Sequence, residues 1–249
     1  MTVTEYIKKE ITNLKERPPK ERWEYFWDYY KWYILVFVLV LALLVQGIVG
    51  VCIRKDVIFH GFLINCKINV QDKDFLQGFY DYADIDGKSK QAAMYSDMIL
   101  TTGTTKTDIN TFQRMMAGIS VKEGDFVVAD PTAFQLCAYS TGRIFIDLRT
   151  FLDTDSLEKI ASRLYYIDGA LLDKLDAPLG ETPDPNTLVY PDPHKPETME
   201  NPIPIGIDIS DRKAFQSAYY YDDTTLYLGV IANTPRIELI KLFLGYLWS

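Results

Sequence analysis

The chain has 249 residues, with 26 Lys and Arg against 34 Asp and Glu (formal net charge −8), 48% hydrophobic residues and a mean hydropathy of −0.06. That length fits one large domain or two small ones. The acidic balance argues against nucleic-acid binding, and two histidines leave little room for His-based general-base catalysis or His-rich metal sites.

In chain order, Thr2-x-x-Glu5 has the pattern of a capping box, and Ile7, Ile11 and Leu14 continue at helical spacing until Pro18-Pro19. A second helix is expected from near Lys20, with Trp23, Phe26, Trp27 and Tyr30 on one face and Glu21, Glu24, Asp28 and Lys31 on another. It leads into Trp32–Ile53, 22 residues without a charge. At ~1.5 Å per residue such a helix matches the ~30 Å hydrocarbon core of a bilayer.

A cleavable signal peptide would have a shorter apolar region and an A-x-A-like site. A lipoprotein signal would end at Cys52, but Val51 stands where a small residue is required. A retained signal anchor is the better reading. Trp23, Trp27, Tyr30 and Trp32 then form an interfacial belt, with a docking face for a membrane partner as the alternative. Residues 1–31 carry seven Lys and Arg, whereas the far flank has only Arg54 and Lys55 before Lys67. The expected arrangement is cytoplasmic helices over 1–31, a transmembrane helix over 32–53, and an extracytoplasmic domain over 56–249 in the cell membrane. That domain has 17 Lys and Arg against 28 Asp and Glu, a net charge of −11.

Within it, strands are expected at Val57–Ile64, Ala93–Leu100, Phe126–Ala129, Ile144–Leu148, Ile203–Ile209 and Leu226–Ile231. Helices are expected at Asp74–Tyr82 (Phe75, Phe79 and Tyr82 inward), Asp108–Ile119, Pro131–Tyr139 and Leu157–Leu164. A final helix should start with Thr234 as N-cap and Pro235 at its first position. Residues 178–204 hold eight of the twelve prolines and read as an irregular loop. Alternating strands and helices predict an α/β fold, an open sheet covered on both faces.

No G-x-S-x-G, H-E-x-x-H, Walker or G-x-G-x-x-G signature occurs, and no cofactor or metal is implied. Asp81, Asp84, Asp86 and Gly87 fail the calcium-loop register, because Tyr82 and Ala93 fall where oxygen ligands are needed, so a solvated turn is expected. Asp222-Asp223 after three tyrosines also reads as a turn, although clustered tyrosines could make a stacking or contact surface. Cys66 and Cys137 could pair, but free buried thiols are favoured. Asp130 precedes Pro131 and reads first as a helix cap.

The run GDFVVADPTAFQLCAYSTGRIFIDL, with IPIGIDIS and TLYLGVIANTPRIELIKLFLGYL near the carboxyl end, resembles bacterial extracellular solute-binding proteins of ABC importers. The likeness covers residues 56–148 and 203–247. It implies a binding-protein-like open sheet whose strand ends and helix starts line a ligand cleft. This chain departs from the family in keeping its anchor and in leaving only 55 residues, 149–203, for a second lobe, which is therefore expected to be reduced.

Two functions follow as expectations. One is a single-pass, non-catalytic, solute-binding-like protein, with ligand contacts from Asn65, Thr102, Asp130, Thr132 and Asp208 beyond the strand ends. The other is a structural or assembly subunit acting on a membrane protein partner. The partners implied are the lipid bilayer and either a small-molecule ligand or a membrane protein, with no nucleic acid. An exported hydrolase ranks last, because no nucleophile–base pair is evident.

Overall fold

The computed structural model describes residues 5, 12, 18–52, 55–68, 74–101, 104–140, 143–177, 188–222 and 224–249. The chain divides into two compact units, Met1–Arg54 and Lys55–Ser249. The expected first helix, with its capping box, falls almost wholly outside the described residues; only Glu5 and Thr12 are described there, both helical.

In the first unit, α1 spans Pro19–Cys52 as one continuous helix of 34 residues. Its window Tyr30–Gly47 has a mean hydropathy of 1.9, none of it buried, and is long and apolar enough to cross a membrane. Trp23, Trp27, Tyr30 and Trp32 are all exposed.

The second unit is built on a six-stranded mixed sheet. Its strands are β1 (Asp56–Ile64), β3 (Lys90–Met98), β4 (Phe126–Ala129), β5 (Leu164–Asp168), β6 (Pro202–Asp208) and β8 (Tyr227–Val230), in the order β3-β1-β4-β8-β6-β5. A separate two-stranded ladder joins β2 (Lys67–Ile68) to β7 (Tyr219–Tyr220). Strands β3, β1 and β4 are parallel, β8 returns antiparallel between β4 and β6, and β5 runs antiparallel at the edge. The helices are α2 (Asp74–Tyr82), α3 (Lys106–Ser120), α4 (Pro131–Ser140), α5 (Thr154–Lys159), α6 (Gly169–Leu175), α7 (Lys213–Ala218) and α8 (Ile237–Leu247).

The period-two alternation of strands decides which side chain goes where. Along β4, Phe126 and Val128 enter one core while Val127 and Ala129 enter the other. The first core holds Phe59, Leu63, Leu228 and Val230 with α2, α7 and α8 (Phe79, Phe215, Phe243). The second holds Phe62, Ile64 and Ile205 with α3, α4 and α6 (Met115, Phe134, Leu172). The paired glycines Gly206 and Gly229 make room for stacked rings there. A Cβ at Gly206 would lie 2.7 Å from Phe134 Cζ, and one at Gly229 would lie 2.6 Å from Phe145 Cε1.

Four expectations need correction. Ile144–Leu148 forms only an isolated bridge, Phe145 with Ile231, before a 3-10 turn at Leu148–Thr150. Leu157–Leu164 is not one helix: α5 stops at Lys159, a 3-10 turn follows, and Leu164 opens β5. Tyr82 is exposed and Tyr80 takes the inward place, where its hydroxyl accepts from Ala92 N of β3 at 2.6 Å. Helix α8 begins at Ile237, not at Pro235; the Thr234 hydroxyl still accepts from Arg236 N, at 3.1 Å. Among the described residues of 149–203, β5 joins the edge of the same sheet, with α5 before it and α6 after it in the chain.

Candidate functional site

Helices leaving the carboxyl ends of the adjacent strands β1 and β4 go to opposite faces: α2 to the first core, α4 to the second. The carboxyl ends of such strands are the usual ligand position in α/β sheets. Asn65 and Asp130 stand there, one just past each strand.

Their polar atoms are already committed. Asn65 takes the left-handed conformation (φ 60), which Asn tolerates better than most residues. Its Nδ2 donates to Leu100 O at 2.7 Å and to Asp130 Oδ2 at 2.5 Å, while its Oδ1 accepts from Leu100 N at 2.9 Å. The side chain thereby ties β1 to the exit of β3 and to β4. Asp130 Oδ1 accepts from Ala133 N at 3.0 Å, and Asp130 O accepts from Phe134 N at 2.8 Å, so Asp130 is the cap of α4 that the Asp-Pro pair predicted. Tyr221, 6% exposed, donates its hydroxyl to Val128 O at 3.3 Å beside the pair.

The other candidates do not join this pair. Thr132 is exposed on the first turn of α4. Asp208 lies beyond the intervening strand β8, where Oδ1 accepts from Ser210 N at 2.8 Å and from the Ser210 hydroxyl; that hydroxyl in turn accepts from Leu226 N at 2.8 Å. Thr102 lies outside the described residues. The acidic DYADIDG segment is a turn in which Asp86 binds Lys88 N and the Ser89 hydroxyl, and no metal-holding cluster occurs among the described residues.

The nearby thiols are poor nucleophiles. Both are free; burial pushes Cys66 up to about 11, opposed by a bond with the Tyr221 hydroxyl. Burial, then the neighbouring Asp130 charge, pushes Cys137 up to about 12. Tyr227 at the head of β8 is raised to about 12 by burial, Asp208 and Asp192, and its hydroxyl meets His194 Nε2 at 2.8 Å.

Three polar centres escaped the sequence. Asp108, fully buried, closes a reciprocal capping box with Thr105 and also accepts from Thr101 N at 2.8 Å, which holds the loop beside Leu100. Asp168 accepts from the backbone of Ala170, Glu200 and Asn201; burial raises its carboxyl, but those bonds outweigh it and hold it below the usual range. At the opposite end of the sheet, buried Asp125 joins His60 N, Thr234 and Arg236. The Asp108 box was readable from Thr105-x-x-Asp108; the other two depend on partners more than 30 residues away. Comparison with protein-family models, with curated proteins and with solved structures found no match.

Proposed function

We propose that this chain is a non-catalytic protein anchored by a single membrane span, with its amino end in the cytoplasm and residues 56–249 outside, and that it acts by holding a membrane protein partner. One observation carries the choice of a partner over a solute: the ends of β1 and β4 spend the hydrogen-bonding groups of Asn65 and Asp130 on the chain itself. A solute would have to displace internal bonds between part-buried groups, each contributing about 0.5–1.5 kcal/mol. The raised Cys66 and Cys137 thiols support the absence of covalent catalysis. The apolar window of α1 and the seven Lys and Arg of residues 1–31 support the anchor and its orientation.

The resemblance to solute-binding proteins supports a second reading, in which this domain is a single such lobe. The quoted stretches do form strand–helix units, and β8 is a returning strand at the sheet's centre. Purification of the full chain in mild detergent from its own membranes separates the two. A stoichiometric membrane protein is expected; a retained metabolite, released only on unfolding, would overturn the partner reading in favour of the solute receptor.

A further inference from the structure

A groove of about 610 Å³ lies between α8 and residues 151–160, and neither Asn65 nor Asp130 lines it. Ligand pockets in proteins run roughly 300–1,000 Å³, so its size suits a small molecule. Its floor is Ile207, 1% exposed, and its walls include Phe151 and Ile160 on one side and Leu244 and Trp248 on the other. Two lysines line it from opposite walls, Lys159 at the end of α5 and Lys241 on α8. In a domain of net charge −11 this convergence runs against the general sign of the surface.

The acids nearby leave room for an anionic guest. Asp153 also lines the groove, but its carboxylate accepts from Ser156 N at 2.8 Å and the Ser156 hydroxyl at 3.1 Å, capping its own helix. Lys241 meets Glu238 at 2.8 Å, where the Glu238 side chain is 83% exposed. An exposed pair of that kind contributes only about 0–1 kcal/mol, so a second carboxylate can replace it. A neutral apolar guest would leave the lysines unused, and a small anion would leave the partly exposed Phe151, Ile160 and Trp248 uncovered.

We propose that this groove binds a single-chain anionic amphiphile of the fatty-acid class, its chain along Phe151, Ile160 and Trp248 and its carboxylate between Lys159 and Lys241. Trp248 is the natural reporter, since the other three tryptophans, Trp23, Trp27 and Trp32, are in α1. The test uses the full chain in lipid nanodiscs, carrying Trp23→Phe, Trp27→Phe and Trp32→Phe, titrated with a medium-chain fatty acid brominated at its terminal carbon. Saturable quenching of Trp248 is expected, with Lys159→Gln plus Lys241→Gln weakening the affinity at least tenfold. The brominated alcohol of the same chain length should bind at least tenfold more weakly and ignore the lysine changes. Quenching that rises without saturation, equal binding of acid and alcohol, or indifference of the acid to the double substitution would each overturn the proposal. So would absence of quenching together with cross-linking of a membrane protein through Lys241→Cys, which would assign the groove to a protein partner.

Discussion

Arg236 Nε approaches both carboxylate oxygens of Asp125, at 2.8 and 2.9 Å, and so fastens the start of α8 to the amino end of β4 across 111 residues of chain. Asp125 is fully buried, while the Arg236 side chain is 25% exposed. Arg236 also donates to Lys122 O at 2.9 Å and Glu123 O at 3.0 Å. Removing the arginine strands a buried carboxylate, and losing one partner of a buried pair costs about 3–5 kcal/mol. The residual exposure and the bonds from His60 N and Thr234 place Arg236→Ala at the lower end of that range. Denaturant unfolding of the full chain should register it; a loss under about 0.5 kcal/mol, the level of an ordinary surface change, would sink the latch.

His60 sits beside that latch, 7% exposed, with Nδ1 unbonded. Burial lowers its pKa most, the Arg236 charge lowers it further, and Asp125 and Glu123 pull the other way. From β3 the Tyr95 ring packs on it at 6.0 Å and adds no charge. With a folded pKa below the ordinary 6.5, the unfolded chain takes up the proton first as pH falls. This contribution to stability is therefore complete above about pH 6.5 and is lost as pH drops below it. Melting temperature should fall between pH 7 and pH 5, and His60→Phe should flatten that fall. An identical slope in the variant would rule His60 out as its source.

The Asn65–Asp130 contact can be tested by charge. Asn65→Asp places a second carboxylate 2.5 Å from the first, at the distance Asn65 Nδ2 now occupies. Like charges so close raise the pKa of one member of the pair, so the variant should be strongly destabilised at pH 7 and recover as the pH falls toward 5. The parent protein should show no such recovery. Asn65→Ala lacks the new charge and should lose stability at both pH values, by about 2–3 kcal/mol for three broken bonds. An Asn65→Asp variant as stable as the parent at pH 7 would show that the two groups do not meet.

Much of this was legible along the chain, and the failures share a cause. β4 and α4 were readable because FVVA is uniformly apolar and Asp130-Pro131 is a local start signal. β5 was missed because LYYID follows a helical-looking SLEKIASR, and only its pairing with Pro202–Ile207 makes it a strand. Asn65 and Asp130 were each nameable as strand-end residues, but their contact depends on β1 and β4 lying side by side, which no local pattern records. The same holds for Asp125 and Arg236.

Gly206 and Gly229 give the sheet a second, sharper test. They are register partners on β6 and β8, under the Phe134 and Phe145 rings, which stack at 4.9 Å. A methyl group on either would sit inside contact distance of a ring boxed in by Tyr165 and Tyr227. Overpacking of this sort costs about 1–3 kcal/mol. Gly206→Ala and Gly229→Ala should both fall in that range, and pairing Gly206→Ala with Phe134→Leu should recover part of the loss. A neutral Gly206→Ala would mean that the rings have slack.

The topology can be read by thiol chemistry in intact cells. Val189 is 87% exposed in the proline-rich segment, so Val189→Cys offers an open, solvated thiol. Cys137 is fully buried and held up at about 12, and Cys66 is half-buried at about 11, so neither competes at pH 7.5. In a Cys52→Ser background, which removes the third cysteine at the end of α1, a membrane-impermeant maleimide should label the Val189→Cys chain on intact cells to completion and leave the chain without Val189→Cys almost unlabelled. A cysteine at Glu5, exposed on the amino side of α1, should react only after the cells are opened. Reaction at Glu5→Cys in intact cells, with protection of Val189→Cys, would reverse the orientation and move the acidic domain inside.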